Sequence, residues 1–268
     1  MATYSQLFDS VSDFLTHLDS VQTAPRSSDK ACKNDGFHEF KDMEACKQAL
    51  RAGWQEGVDA VNAQTLAIER IVGASVLRET YAPETTGLFF DVGLVLTGEP
   101  ECWLQTVDED TGSKVVTVSI NACISGAVDK RVIIKRGAAV CALVKLLESQ
   151  GKSVRVVYGM GLNVNFERTG DKLQLSVTLK REGETLDIDT LAFWLVCPDA
   201  FRRLCFRYIE GHPQIWPQVG IGYGYPDTDW VPEADVAVHA ISSAVDWTDE
   251  QAQEWIKKTM RAQGINVE

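Results

Sequence analysis

Four cations lie at the start of one predicted helix, and their types and spacing could hold an anion. Lys130, Arg131, Lys135 and Arg136 open a segment that predicts a helix over about 131–150. The helix dipole disfavours cations at this position unless an anion compensates, and free backbone N–H groups at a helix start bind phosphate. We therefore predict that these four side chains contact a DNA backbone. The alternative is that acids elsewhere in the chain pair with them.

A second set of basic and aromatic residues could extend such a surface. The stretch "FRRLCFRY" contains Arg202, Arg203 and Arg207, of which the last two share a helix face. The stretch "GIGYGYP" places Tyr223 and Tyr225 in a glycine-rich loop, where aromatic rings can stack on bases. We predict all five as further DNA contacts. The competing interpretation is a core helix with snorkelling arginines and tyrosines that simply pack.

The residues for a metal site are incomplete. "NACIS" ends a predicted strand at the point where von Willebrand A domains, which this part of the chain resembles in element order, place Asp-x-Ser-x-Ser around Mg²⁺. Asn121, Cys123 and Ser125 occupy those positions here. Hard cations prefer carboxylate oxygens, so we expect no metal and no cofactor. The resemblance implies an alternative function, a cofactor-free protein-interaction module.

Catalytic signals are sparse. The four histidines are scattered, and the chain has neither a Walker loop nor a G-x-S-x-G motif. Asp91, Glu99 and Glu101 form the best carboxylate cluster. They would have to converge on a metal in a phosphate-handling enzyme, which is the less favoured alternative. We therefore predict that the protein is not an enzyme.

Composition and charge limit the classes of function. The 268 residues are 45% hydrophobic and include seven cysteines without a C-x-x-C pair, which indicates reduced thiols and a cytoplasmic location. No apolar run approaches the roughly 20 residues that span a bilayer, and no secretory signal is evident. The net charge of −12 argues against binding through overall positive charge. Residues 121–210 nevertheless hold fourteen bases against ten acids.

The predicted elements form one unit over residues 1–268, with a mainly helical part at 1–72 and an α/β body at 73–268. Apolar spacing predicts a helix over residues 3–19, and "GLFFDVGLVLTG" predicts a strand. A strand, helix and strand follow from residue 114, and a helical segment over 187–210 should bend at Pro198. This alternation predicts an α/β or α+β fold with a mixed central sheet and flanking helices, and not an OB-fold.

Several stretches together resemble a bacteriophage family of uncharacterised proteins. They are "GWQEGV", "GEPECW", "IIKRGAAVCALVKLLESQGKSVRVV" and "DIDTLAFWLVCPDAFRRLCFRYIE", within residues 50–210. In that context the chain resembles the single-stranded-DNA-binding RNA polymerase cofactors of podoviruses that carry a virion RNA polymerase. The resemblance implies an early transcription regulator in the host cytoplasm that holds melted promoter DNA and recruits the phage RNA polymerase. We also expect a homo-oligomer.

Overall fold

A six-stranded mixed sheet organises the chain in the computed structural model. The structure describes residues 1–21, 28–29, 38–72, 81–86, 89–106, 115–126, 128–165, 170–219, 222–241 and 248–265. The strands are β1 (Thr3–Phe8), β2 (Tyr81–Glu84), β3 (Phe89–Phe90), β4 (Trp103–Thr106), β5 (Val115–Asn121), β6 (Ser153–Asn163), β7 (Lys172–Lys180), β8 (Tyr225–Pro226) and β9 (Val236–Val238).

The helices are α1 (Val11–Ser20), α2 (Met43–Ala52), α3 (Gln55–Val72), α4 (Val92–Thr97), α5 (Lys130–Ser149), α6 (Ile188–Val196), α7 (Phe206–Gly211) and α8 (Asp249–Ala262). A π-helix, Ala200–Cys205, lies between α6 and α7.

The large sheet has the strand order β1-β7-β6-β5-β9, and the short β8 pairs with β6. β5 is parallel to both β6 and β9, and β1 is parallel to β7, whereas β6 and β7 are antiparallel. A separate antiparallel sheet has the order β2-β4-β3. The predicted α/β class, with a mixed central sheet and flanking helices and without an OB-type barrel, is confirmed.

The two faces of the large sheet differ in polarity because side chains alternate along each strand. Val118, Tyr158 and Leu175 represent one face, and they join the main hydrophobic core with the helices. The other face presents polar or small side chains at the alternating positions, such as Thr117, Gly159 and Gln174. The helices therefore pack against the apolar face.

Helix α5 is the central helix of this core, since nearly all of residues 136–147 are buried. Gly137 allows close contact with α6: a Cβ at this position would lie 2.4 Å from the carbonyl oxygen of Leu195. The small residues of "RGAA" thus serve helix packing. Only the first turns of α5 and isolated positions such as Lys145 reach the surface.

Several local predictions agree with the structure. Helix α6 ends at Val196, just before Pro198, as predicted. Thr248 caps α8 in a capping box with Gln251, as the spacing of these two residues in the sequence indicates.

Two element predictions were wrong. Residues 3–8 form a strand and not the start of a helix, because they pair with β7. "GLFFDVGLVLTG" contains the two-residue β3 followed by α4, since Asp91 accepts hydrogen bonds from Gly93 and Leu94 N–H and so starts a helix. Within the described ranges, no helix is both long and apolar enough to cross a membrane.

Candidate binding surface

The cations at the start of α5 are paired with acids of the protein itself. Lys130 Nζ lies 2.5 Å from Glu39 Oε2, and Lys135 Nζ lies 3.0 Å from Asp249 Oδ1. Arg131 binds Asp129, the N-cap residue of the same helix, and these hydrogen bonds lower the pKa of the Asp129 carboxyl. The anions that the helix start requires are therefore present within the fold. The three cations remain partly or largely exposed, so their contact with DNA stays a prediction.

Arg136 is not available to a DNA backbone, and this prediction was wrong. Its side chain is buried and donates hydrogen bonds of 3.3 Å to the carbonyl oxygens of Asn121 and His239. Burial lowers the pKa of its guanidinium to about 10. These hydrogen bonds connect α5 to the ends of β5 and β9. Arg136 lies more than one turn after the start of α5, where the helix is already covered by the core.

The arginines of "FRRLCFRY" are also structural. Arg202 and Arg203 are buried, so their predicted DNA contacts were wrong. Arg203 donates to the carbonyl oxygens of Ser28 (3.0 Å) and Phe40 (2.6 Å), and its Nε lies 3.3 Å from Asp199 Oδ2. The half-buried Arg207 donates to the Val21 carbonyl oxygen at 3.0 Å, which leaves its DNA contact a prediction. Arg203 in the π-helix and Arg207 in α7 thus bind N-terminal segments of the chain.

The two tyrosines have different environments. Tyr223 is buried, stacks on Phe206 with a centroid separation of 4.1 Å, and donates a 2.5 Å hydrogen bond to Glu210. Its predicted role as a stacking platform was wrong, because its ring is already covered. Tyr225 in β8 is 46% exposed, so base stacking on it remains a prediction.

Asn121 holds a loop in place at the position where a von Willebrand A domain has its first metal ligand. Its Nδ2 donates to the carbonyl oxygens of Asp227 (2.9 Å) and Trp230 (2.7 Å), while its Oδ1 accepts from the Cys123 N–H. Cys123 is buried, and burial raises the pKa of its thiol to about 12. The described residues contain no group of three acidic, histidine or cysteine side chains that could hold a metal ion.

The carboxylates considered for a phosphate-handling enzyme do not form a built site. Asp91 caps α4, while Glu99 and Glu101 are exposed to solvent. Solvated carboxylates of this kind lack the enclosure that a catalytic metal site requires.

The polar face of the large sheet carries an open groove, which we call the sheet groove. Its volume is about 770 Å³. Four strands and the loop before β9 contribute to its lining, which comprises Ser5, Gln6, Leu7, Thr117, Arg155, Val157, Gln174, Ser176 and residues 230–235. Hydroxyl, amide and guanidinium groups thus lie beside apolar surface along one open face.

Residues 227–235 form a loop that we call the crossing loop, and its residues 230–235 line one side of the sheet groove. The loop can lie close to β6 because that strand has glycines there: a Cβ on Gly159 would lie 2.5 Å from Pro232, and one on Gly161 would lie 2.7 Å from Trp230. Ser119 Oγ donates to the Glu233 carbonyl oxygen at 3.0 Å. The glycines of "GMG" therefore serve close approach of the loop to the sheet.

Arg155 is the cation of the sheet groove. It is half-buried on β6 beside Thr117 of β5. Within the described ranges its buried Nε has no hydrogen-bond partner and its guanidinium has no ion pair. Burying part of a guanidinium without a hydrogen-bond partner costs free energy, because the group loses contact with water and gains nothing in return. A bound anion would supply the missing hydrogen bonds.

Arg155 is one of the fourteen bases in residues 121–210, but it is not among the DNA contacts predicted from the sequence. Its position on the polar face follows from strand alternation in "SVRVV", and a strand-by-strand assignment of faces would have found it. The groove as a whole was not visible in the sequence, because β1 and β7 are far apart in the chain.

Comparison with known proteins identifies the family but no activity. No curated protein and no solved structure matches the chain. A family model described as "Domain of unknown function (DUF7192)" matches residues 2–267. Because the match covers nearly the whole chain, from β1 to beyond α8, the protein belongs to the DUF7192 family.

Proposed function

We propose that this protein is a non-catalytic binding protein that holds single-stranded DNA in the sheet groove. The observation that carries the proposal is Arg155, a half-buried guanidinium on an open sheet face with no ion pair to any described residue. Guanidinium groups bind phosphate oxygens in a bidentate manner. An unpaired one in a long groove therefore favours a ligand that brings a phosphate to it.

The rest of the groove supports an extended nucleic acid strand. Ser176, Gln174 and Thr117 offer hydroxyl and amide groups for sugar and phosphate oxygens. Tyr225 pairs with Asn163 at the end of β6, in the same sheet as the groove. Its exposed ring could stack on a base of the bound strand. Lys130, Arg131 and Lys135 remain predicted contacts, although each would have to exchange an acidic partner for a phosphate.

The resemblance noted in the sequence supplies the biological context of the proposal. It favours a bacteriophage early protein that acts in the host cytoplasm, holds melted promoter DNA and recruits the phage RNA polymerase. The buried, unpaired cysteine thiols, such as Cys141 and Cys205, support a reducing compartment. A homo-oligomer remains part of the proposal, and sedimentation of the free protein measures it.

A direct test compares single-stranded and double-stranded oligonucleotides by fluorescence anisotropy over a series of salt concentrations. We expect preference for the single strand. Arg155→Gln should weaken binding, and each lost phosphate contact should lower the salt slope by roughly 0.7. Arg51→Gln is the matched control, since Arg51 is exposed on α2, is not a predicted DNA contact and lies outside the sheet groove. A larger loss for Arg131→Gln than for Arg155→Gln would move the site to the start of α5, and no DNA binding at low salt would refute the proposal.

A second candidate function is a protein-interaction module that uses the same groove. The observation in its favour is the presence of Glu233, Asp235 and the exposed Leu7 among the lining residues. Carboxylates repel DNA, whereas a peptide can pair with both signs of charge. Binding of an extended peptide without any DNA affinity, and its loss in Leu7→Ser, would favour this function.

A further inference from the structure

The small sheet and α4 expose an apolar surface that the sheet groove does not use. Five large apolar side chains in this region are between 39 and 82% exposed: Phe90, Val92, Val95, Leu96 and Trp103. None of the six residues of α4 is buried. Scattered exposed apolar residues are ordinary, but a cluster of this size marks an interaction site. We call these five residues the apolar platform.

The apolar platform is held in a defined geometry. Val92, Val95 and Leu96 are spaced by three and four residues, so they lie on one face of α4. Phe90 pairs with Trp103 across β3 and β4, and their rings meet edge to face at 5.9 Å.

The Asp91 N–H donates to the Cys102 carbonyl oxygen at 2.8 Å, which joins the start of α4 to the strand pair. An apolar helix stripe normally faces a core. Here the stripe faces solvent, next to two aromatic rings.

The chain segment that carries the apolar platform is strongly acidic. Residues 79–113 contain eight acids and no base. Among them, Glu99 and Glu101 follow α4 directly and are exposed. An apolar surface with an acidic surround is complementary to a segment that carries apolar residues on one side and basic residues beside them.

We propose that the apolar platform docks a basic amphipathic segment of a partner protein. A second copy of the chain fits less well, because a symmetric contact would place the same carboxylates of both copies against each other. An anionic membrane surface is disfavoured for the same reason. This docking surface is independent of Arg155 and of DNA binding, so either proposal can fail without the other.

The test uses a synthetic peptide of leucine and lysine with leucine at helical spacing, and measures its affinity for the full chain by fluorescence anisotropy. Controls are a scrambled peptide of the same composition and a version with glutamate in place of lysine. We expect the amphipathic basic peptide to bind most tightly, and Leu96→Ser to weaken its binding about tenfold. Glu99→Lys combined with Glu101→Lys should weaken binding and reduce its salt dependence.

Leu66→Ser is the matched control, because Leu66 is an exposed leucine on α3 outside the apolar platform. It should leave peptide affinity unchanged. Equal binding of the scrambled peptide, or an equal loss in Leu66→Ser, would overturn the proposal. A clear fall of the melting temperature in both Leu96→Ser and Val92→Ser would also overturn it, since the platform would then be packed against the chain itself. A dimer that Leu96→Ser abolishes would show self-association instead.

Discussion

Replacing Arg203 with glutamine separates a structural role for this arginine from the DNA contact that its sequence context predicts. Arg203 is fully buried, and its guanidinium holds the Asp199 carboxylate and the carbonyl oxygens of Ser28 and Phe40. Removing one partner of a buried ion pair costs about 3–5 kcal/mol, and each carbonyl left without a donor adds about 1 kcal/mol. Because glutamine restores one donor, we expect Arg203→Gln to lower the free energy of unfolding by about 4–6 kcal/mol.

The assay is urea unfolding followed by tryptophan fluorescence, together with thermal melting. A loss of this size should lower the melting temperature of a chain of this length by about 10 °C. Arg131→Gln is the control, since an exposed ion pair contributes less than about 1 kcal/mol. Asp199 also binds His38 Nδ1 and the N–H groups of Glu39 and Phe40. If Asp199 and Arg203 form a coupled pair, the variant that combines Asp199→Asn with Arg203→Gln should lose less stability than the sum of the two single losses.

The contrary result is equally definite. If Arg203→Gln keeps the stability of the parent chain and weakens binding to single-stranded DNA, the arginine faces a ligand and not the core. If the double variant loses as much free energy of unfolding as Asp199→Asn and Arg203→Gln lose separately in sum, the two residues do not form a coupled pair.

Three further outcomes test the structure. Asn121→Asp should lower the free energy of unfolding by about 2–4 kcal/mol in a urea titration, because a carboxylate replaces the amide that donates to two carbonyl oxygens. Calorimetry of this variant with Mg²⁺ should show no binding. Stable folding together with Mg²⁺ binding would contradict this prediction. Gly161→Val should destabilise the chain by about 1–3 kcal/mol by displacing the crossing loop, whereas Gly222→Ala, which has open space around it, should not; equal melting temperatures would contradict it. Burial lowers the pKa of His17 and of His212 below 6.5 in the folded state. As the pH decreases, the unfolded chain therefore takes up protons first, and stability should fall from pH 6.5 towards the lower folded pKa. Urea midpoints that fall equally in a variant with both histidines replaced by glutamine would contradict this prediction.

Local patterns in the sequence predicted the centre of the fold. The strand–helix–strand order of β5, α5 and β6 agrees with the prediction, and α5 begins and ends one residue before its predicted bounds, because β-branched strands and a long apolar helix have distinct periods. The capping box at Thr248 and the break before Pro198 follow from side-chain and backbone chemistry within a few residues. Such features need no distant partner.

Elements whose form depends on distant pairing were not predictable in the same way. "TYSQLF" is compatible with a helix or a strand, and it becomes β1 because it pairs with β7 about 170 residues later. α4 exposes its apolar face, so the usual link between an apolar run and burial misled the prediction of a strand there. In both cases the local pattern was ambiguous and the neighbours decided.

The sequence by itself determined the fold class, the main helices and strands, and the excess of bases over acids in residues 121–210. Only the tertiary structure decided which of those bases a ligand can reach. Lys130 meets Glu39, and Arg203 reaches Ser28 across 175 positions of the chain. Arg155 has no such partner within the described residues and faces a groove. The physical reason is that the charge of a residue is a local property, whereas its exposure and its partner depend on segments that meet only after folding.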